Sequence, residues 1–206
     1  MLRVQPWSIR LRAAVVVCAM LLSTLALISS PAHAEAQGTS SPASVNRQVT
    51  EVLQANPGSR RISDTSVLLA PGVVMTVPGA IEASATMTVL SRDGRQATVS
   101  AASTSCPSQY LCLWEHVWRG GARLAFYYCG YVDLYKYRLN QYTLWDDDVS
   151  SIWNNQTGGV VSWFYDTDWG GLLGTVSAGN YLQDLTRDRA LGGGNWNDRI
   201  DRVKVC

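Results

Sequence analysis

The last hundred or so residues of the chain are written twice, and the two copies stay in step at 51 residues. Trp114-Glu115-His116-Val117-Trp118-Arg119-Gly120 returns as Tyr165-Asp166-Thr167-Asp168-Trp169-Gly170-Gly171. Further on, Trp145-Asp146-Asp147-Asp148-Val149-Ser150-Ser151-Ile152 returns as Trp196-Asn197-Asp198-Arg199-Ile200-Asp201-Arg202-Val203. Two motifs far apart within each copy keep one spacing, so each copy is a whole structural unit and the fold is an array of two.

The N-terminus points to a compartment. Arg3, Arg10 and Arg12 precede an apolar run from Ala13 to Ile28, and Pro31 leads to the small-residue site Ala32-His33-Ala34. This is the pattern of a secretory signal peptide over residues 1–34, cleaved before Glu35. The run falls short of the roughly 20 apolar residues a membrane helix needs, so the expectation is a secreted chain without a membrane partner.

Cys18 would leave with the signal, and Cys106, Cys112, Cys129 and Cys206 would remain in an oxidising setting. Four cysteines allow three pairings. Cys106 and Cys112 are close enough around Pro107 for a local staple, and the expected pairing is Cys106–Cys112 with Cys129–Cys206. Zinc is disfavoured: there is no CxxC pair, and His116 is the only histidine past the signal.

Residues 35–105 carry five basic and five acidic groups, and residues 106–206 carry nine and eleven. No basic stripe exists to track a phosphate backbone, which argues against nucleic acid. Composition changes at Cys106. There is no aromatic residue from Glu35 to Ser105, and there are eighteen from Cys106 onward, seven of them Trp.

In the first region, Glu35 to Ala43 reads as a linker, and Val45, Val49, Val52 and Leu53 form the stripe of a short helix stopped by Asn56-Pro57-Gly58. Thr65–Ala70 and Val73–Val77 flank Pro71-Gly72 as a hairpin, and Thr86–Leu90 and Ala97–Ser100 flank Asp93-Gly94 as a second. A region this small buries little apolar area by itself. Three readings stand for residues 35–105: a pro-segment, a subdomain packed on the repeat, or a loosely ordered spacer.

The aromatic region alternates short apolar runs (Leu111–Trp114, Arg123–Tyr128, Ser151–Trp153, Val160–Tyr165, Ile200–Val205) with Gly, Asn and Asp clusters, an all-β sandwich or barrel pattern. In each copy an aromatic, an acid and a second aromatic lead into glycine. A folded-over hairpin needs positive φ at its turn, which Gly120 or Gly171 would supply without a Cβ clash, with Trp118 and Trp169 covering the backbone nearby.

These residues resemble the βγ-crystallin superfamily, whose Greek-key motif opens with such a hairpin. Its later loop reads Asn/Asp, Asn/Asp, any, any, Ser/Thr, Ser, and Asp146-Asp147-Asp148-Val149-Ser150-Ser151 fits each position. The Cys106-Pro107-x-x-x-Leu111-Cys112 opening, with the signal and the N-terminal extension, is similar to the secreted bacterial peptidase inhibitors of that fold, which include metalloproteinase inhibitors. The resemblance implies two four-stranded Greek-key motifs, about 106–157 and 158–206, pairing into one β-sandwich behind a small α+β or partly disordered N-terminal region.

The resemblance also implies calcium sites shared between the acidic loop of one motif and the hairpin of the other. Calcium takes six to eight hard oxygens. The first site would use Asp147, the Asp148 carbonyl and Ser150, completed near Asp166. The second would use Asn197, Asp198 and Asp201; Asp201 replaces a hydroxyl and Arg202 a serine, so the first is expected to be better formed. No cofactor is required beyond such calcium. The acidic loops read equally well as solvated turns held by Ser150 and Ser151.

The sequence leans against an enzyme: a glycosidase-type carboxylate pair such as Glu115 and Asp166 is conceivable, but their equivalence in the repeat reads as structural. His116 is the one candidate base, and no GxSxG, HExxH or phosphate loop occurs. The leading function is a monomeric inhibitor of an extracellular protease, in which a disulfide-braced scaffold holds a rigid loop. The inhibitory loop is not named by the sequence; Gly130–Tyr142 is the first candidate for an exposed insert, and an ordinary Greek-key crossover explains it too. The alternative is a module without inhibitory action, stabilised by calcium or binding glycans through its Trp and Tyr rings.

Overall fold

The valine stripe before Asn56 forms a helix, α1 (Pro42–Ala55), in a computed structural model. The structure describes residues 40–79, 104–168 and 171–206, together with the backbone of 86–90 and 96–100. The expected signal peptide, Trp169 and Gly170 lie outside these residues. Ser41 caps α1 by accepting from the Ser44 amide, Pro42 takes the first turn where no donor is needed, and Val45, Val49 and Val52 face inward.

Strands β1 (Arg60–Arg61), β2 (Ser66–Ala70) and β3 (Val73–Thr76) follow, with Gly72 at φ 77° closing the predicted turn. Strands β4 (Thr86–Leu90) and β5 (Gln96–Ser100) pair antiparallel as the second predicted hairpin. The first copy then supplies β6 (Leu111–His116), β7 (Gly120–Phe126), β8 (Tyr131–Asp133) and β9 (Ser151–Asn154). The second supplies β10 (Val161–Asp166), β11 (Gly171–Ser177), β12 (Tyr181–Leu182) and β13 (Arg202–Lys204).

The sheets explain why one copy does not suffice. One runs β1-β2-β3-β7-β6-β9-β12 and the other β11-β10-β13-β8. Each copy keeps three strands together and lends its short third strand, β8 or β12, to the other's sheet. The backbone repeats this exchange: Leu134 N donates to Asp201 O (2.7 Å), and Leu185 N, 51 residues on, donates to Ser150 O (3.0 Å). Such reciprocal bonding is the signature of an approximate twofold. The chain is mostly β, built on two antiparallel sheets, as expected.

Between the sheets, Leu113, Phe126, Trp145 and Ile152 of one copy meet Phe164, Leu173, Trp196 and Val203 of the other, all buried. At about 1.5–3 kcal/mol for each large apolar side chain buried, this shared layer is the main stabilising element. Both expected disulfides form, with Cα separations of 5.8 Å for Cys106–Cys112 and 4.9 Å for Cys129–Cys206.

The N-terminal region enters the same core. β3 pairs with β7 (Val74 opposite Ala125, Met75 opposite Leu124), and the α1 valines join the central cluster. On the outer face of this sheet, Tyr110, Cys112 and Trp114 are fully buried beneath the Cys106 segment, with Tyr110 stacked on Tyr127 at 4.9 Å. Of the two readings of the Tyr-rich stretch from Gly130 to Tyr142, insert or crossover, the second holds: β8, a 3-10 turn (Leu134–Lys136) with Leu134 buried, and a loop pinched by an Arg138–Leu144 bridge. The same bridge recurs at Arg189–Asn195.

Candidate functional site

Each acidic loop starts from a buried tryptophan, Trp145 or Trp196, which fixes where the following acids emerge. Asp147 (φ 56°) and Asp198 (φ 52°) take the left-handed conformation that aspartate tolerates better than most residues. Their amides cross the twofold: Asp147 N lies 3.4 Å from Ile200 O, and Asp198 N lies 3.3 Å from Val149 O. The two loops therefore meet each other.

That meeting sorts the carboxylates into two groups. In the first, ligand oxygens of Asp146, Asp147 and Asp201 lie within 4.8 Å of one another. Thr167 Oγ1 donates to Asp201 Oδ2 at 2.6 Å, and Arg199 Nε and Nη2 each reach Asp166 Oδ2 at 2.9 Å. Asp146 Oδ1 is buried with no hydrogen-bond partner among the described residues. Burial first, then the charge of Asp201, pushes Asp147 up to about 7 and Asp146 to about 6.

The second group holds Asp148 and Asp198. Burial, then Glu115 and Asp198, pushes Asp148 up to about 7. Asp198 is also raised by burial, against the lowering effect of a hydrogen bond with Ser150 and of nearby His116. Asp148 Oδ2 and Asn197 Oδ1 are buried without partners among the described residues.

The expected grouping is thus corrected. Asp147 faces Asp201 and Asp166, as the expectation had it for Asp166, whereas Ser150 bonds Asp198 and the Asp148 carboxyl feels the charges of Glu115 and Asp198. Asp201 leaves Asn197 and Asp198 to join the first group. The twofold causes this, because each loop's second acid sits opposite the other loop's hydroxyl position. Sequence reasoning missed Asp146 as a group member and Arg199 as the partner of Asp166. Arg202, expected beside a cation, instead reaches Asp133 Oδ1 at 2.5 Å, where Lys136 also pairs. A hard cation fits the first group: its donors are all oxygen and one is buried and unpartnered. Arg199 already neutralises Asp166 there.

The first hairpin also departs from expectation. Gly120 is extended (φ −80°), and positive φ falls instead on Trp118 (58°), Arg119 (64°) and Gly121 (72°). Gly171 (80°) does supply the turn in the second copy, one residue earlier in register. At Gly121 a Cβ would sit 2.6 Å from Glu115 Oε2, the oxygen that accepts from Ala122 N at 3.0 Å. The hairpin folds over a carboxylate, so glycine is needed where the two meet. The Arg119 guanidinium lies 5.3 Å from the Tyr181 ring centre and 5.7 Å from that of Trp153. Trp118 is left 58% exposed rather than covering the backbone.

Residues 99–176 match the model of peptidase inhibitor family I36, from the end of β5 through the first copy to β11. The resemblance read from the hairpin, the acidic loop and the cysteine opening is thereby shown over that stretch, and the family is one of peptidase inhibitors, not enzymes. No curated protein and no solved structure matches the chain.

Proposed function

We propose that the chain is a secreted inhibitor of an extracellular peptidase, acting as a preformed surface that blocks the target's cleft. The observation that carries this reading is the family match across residues 99–176. The architecture supports it in physical terms. An inhibitor gains affinity when its contact surface is already ordered, because little conformational entropy is lost on docking. Cys106–Cys112 closes a loop whose backbone is tied from inside: Gln109 N donates to Asn155 O (2.9 Å), and Asn155 Nδ2 donates to Cys106 O (2.8 Å). The two disulfides suit an oxidising compartment. The test is titration of purified chain against thermolysin-like, subtilisin-like and chymotrypsin-like peptidases. Stoichiometric loss of peptidase activity that disappears on reduction is expected; cleavage of the chain with peptidase activity intact would end the reading.

A calcium-stabilised fold is the second reading, favoured by the Asp146, Asp147 and Asp201 cluster with its unpartnered Asp146 oxygen. Those residues would hold the ion, which would supply cross-links between the two loops and no chemistry. Titration calorimetry with calcium should give heat in the wild type and none in Asp147→Asn with Asp201→Asn.

A further inference from the structure

The exposed tip of the first hairpin offers a contact residue for the proposed inhibition. Trp118 is an anomaly on two counts. It is 58% exposed, while Trp114, Trp145 and Trp196 are buried. It also holds a left-handed backbone (φ 58°, ψ 30°), followed by Arg119 at φ 64°. Two consecutive non-glycine residues in that region are strained, and such strain persists only where surrounding contacts over-determine it.

The second copy and β9 provide those contacts. Trp118 N donates to Gln183 O at 2.7 Å, and Arg119 N donates to Ser151 Oγ at 3.2 Å. Ser151 Oγ in turn donates a hydrogen bond to His116 O at 2.8 Å, so one hydroxyl clamps both ends of the turn. The neighbouring Arg119 guanidinium is folded back over Tyr181 and Trp153. Every anchor holds the backbone or the neighbour, and the indole is left directed to solvent beside the exposed His116 imidazole.

Tryptophan is enriched among interface hot spots, because it buries a large area with few rotatable bonds to freeze, and here its backbone is already fixed. Two other exposed sites serve less well. The Cys106–Cys112 loop presents little beyond Ser108, since Gln109 is bonded to Thr157 at 2.8 Å. Tyr142 is more exposed than Trp118, but the bonds that close its loop, from the Asn140 side chain, between Leu139 N and Thr143 O and at the Arg138–Leu144 bridge, are all local, and none crosses to the other copy.

Resting on the inhibitor reading, we infer that Trp118 is the anchor of the inhibitory contact, inserting its indole into an apolar specificity pocket of the peptidase. The target class follows: a peptidase whose cleft accepts a large aromatic or branched apolar side chain, not one selective for basic or small residues.

Inhibition constants for wild type, Trp118→Ala, Trp118→Gly and Tyr142→Ala, measured on the same panel with melting temperatures, test this. Trp118→Ala and Trp118→Gly should weaken inhibition on the order of 100-fold. Trp118→Gly should melt no lower than wild type, because glycine accepts positive φ without strain. Tyr142→Ala should inhibit as wild type does. Both Trp118 variants matching wild type would remove the anchor assignment and leave the inhibitor reading in place. A wild type that inhibits nothing on the panel would remove both.

Discussion

Trp145 and Trp196 occupy equivalent buried positions 51 residues apart, yet only Trp196 keeps an indole hydrogen bond. Its Nε1 donates to Arg189 O at 3.0 Å. The corresponding carbonyl in the first copy, Arg138 O, accepts instead from Asn56 Nδ2 at 2.8 Å, while Asn56 Oδ1 accepts from Arg138 N at 2.9 Å. Trp145 Nε1 is left buried with no partner among the described residues. The C-cap residue of α1 has taken the place that symmetry assigns to the tryptophan. The N-terminal segment is thus wired into the first copy at the point where its loop begins.

That substitution predicts an asymmetry between two formally identical mutations. Trp145→Phe has no hydrogen bond to lose, whereas Trp196→Phe does, so Trp196→Phe should be the more destabilising by about 1 kcal/mol. Asn56→Ala removes bonds to both Arg138 groups and to Val52 O, and should cost about 1–3 kcal/mol. Chemical denaturation of the three variants checks this, and equal losses for the two tryptophans would contradict it.

Much of the fold was legible because duplication is a strong signal. The 51-residue spacing reappears in strand positions, in the paired bridges and in the left-handed aspartates. β11 was not legible. Its sequence Gly171-Leu172-Leu173-Gly174-Thr175-Val176-Ser177 lacks a clean alternation, since it is set by the ring it packs under and by a register shift against β10. The composition break at Cys106 also misleads. Aromatic content changes there, but β3 pairs straight across to β7, because β-ladder bonding uses backbone groups and is indifferent to aromatic content. The acids of the two loops could be picked out from the sequence but not which of them lie together, because the neighbour of each lies across a twofold that only the folded pair possesses.

Gly174 tests the ring that shapes β11. A Cβ there would lie 2.2 Å from Trp196 Cζ2, inside any permitted contact, and Trp196 is held by its bond to Arg189. Gly174→Ala should cost about 1–3 kcal/mol through overpacking. Gly192→Ala, with nothing within 4 Å of its Cβ, should be close to neutral. Thermal melts that rank the two the other way would show that Trp196 yields freely.

The disulfides should contribute unequally. Cys129–Cys206 spans 77 residues and Cys106–Cys112 spans 6. By loop-closure entropy the long link is worth about 4.5 kcal/mol and the short one about 2 kcal/mol. Replacing Cys129 and Cys206 by serine should therefore lower stability about twice as much as replacing Cys106 and Cys112. Neither replacement should change the inhibition constant of the folded chain, since Trp118 lies outside both closed loops, so the disulfides act on stability and Trp118 on contact. Paired measurements of melting temperature and inhibition constant would separate these roles.

The acidic loops predict a pH dependence whose size depends on metal. Folded Asp146 holds its proton to about pH 6, and Asp147 and Asp148 to about pH 7, above the ordinary aspartate value near 3.9. Between those limits the folded state binds more protons than the unfolded one, so stability falls as pH rises. In chelator, the melting temperature should thus be higher near pH 5 than near pH 8. On the calcium reading the ion would replace the protons, so millimolar calcium should restore the loss near pH 8 and add little near pH 5. Asp147→Asn removes one titrating carboxyl while tolerating the left-handed backbone. It should flatten the metal-free pH profile and blunt the calcium response together. A profile in chelator that rises from pH 5 to pH 8 would mean that the carboxyls ionise without penalty and the cluster is an ordinary solvated turn.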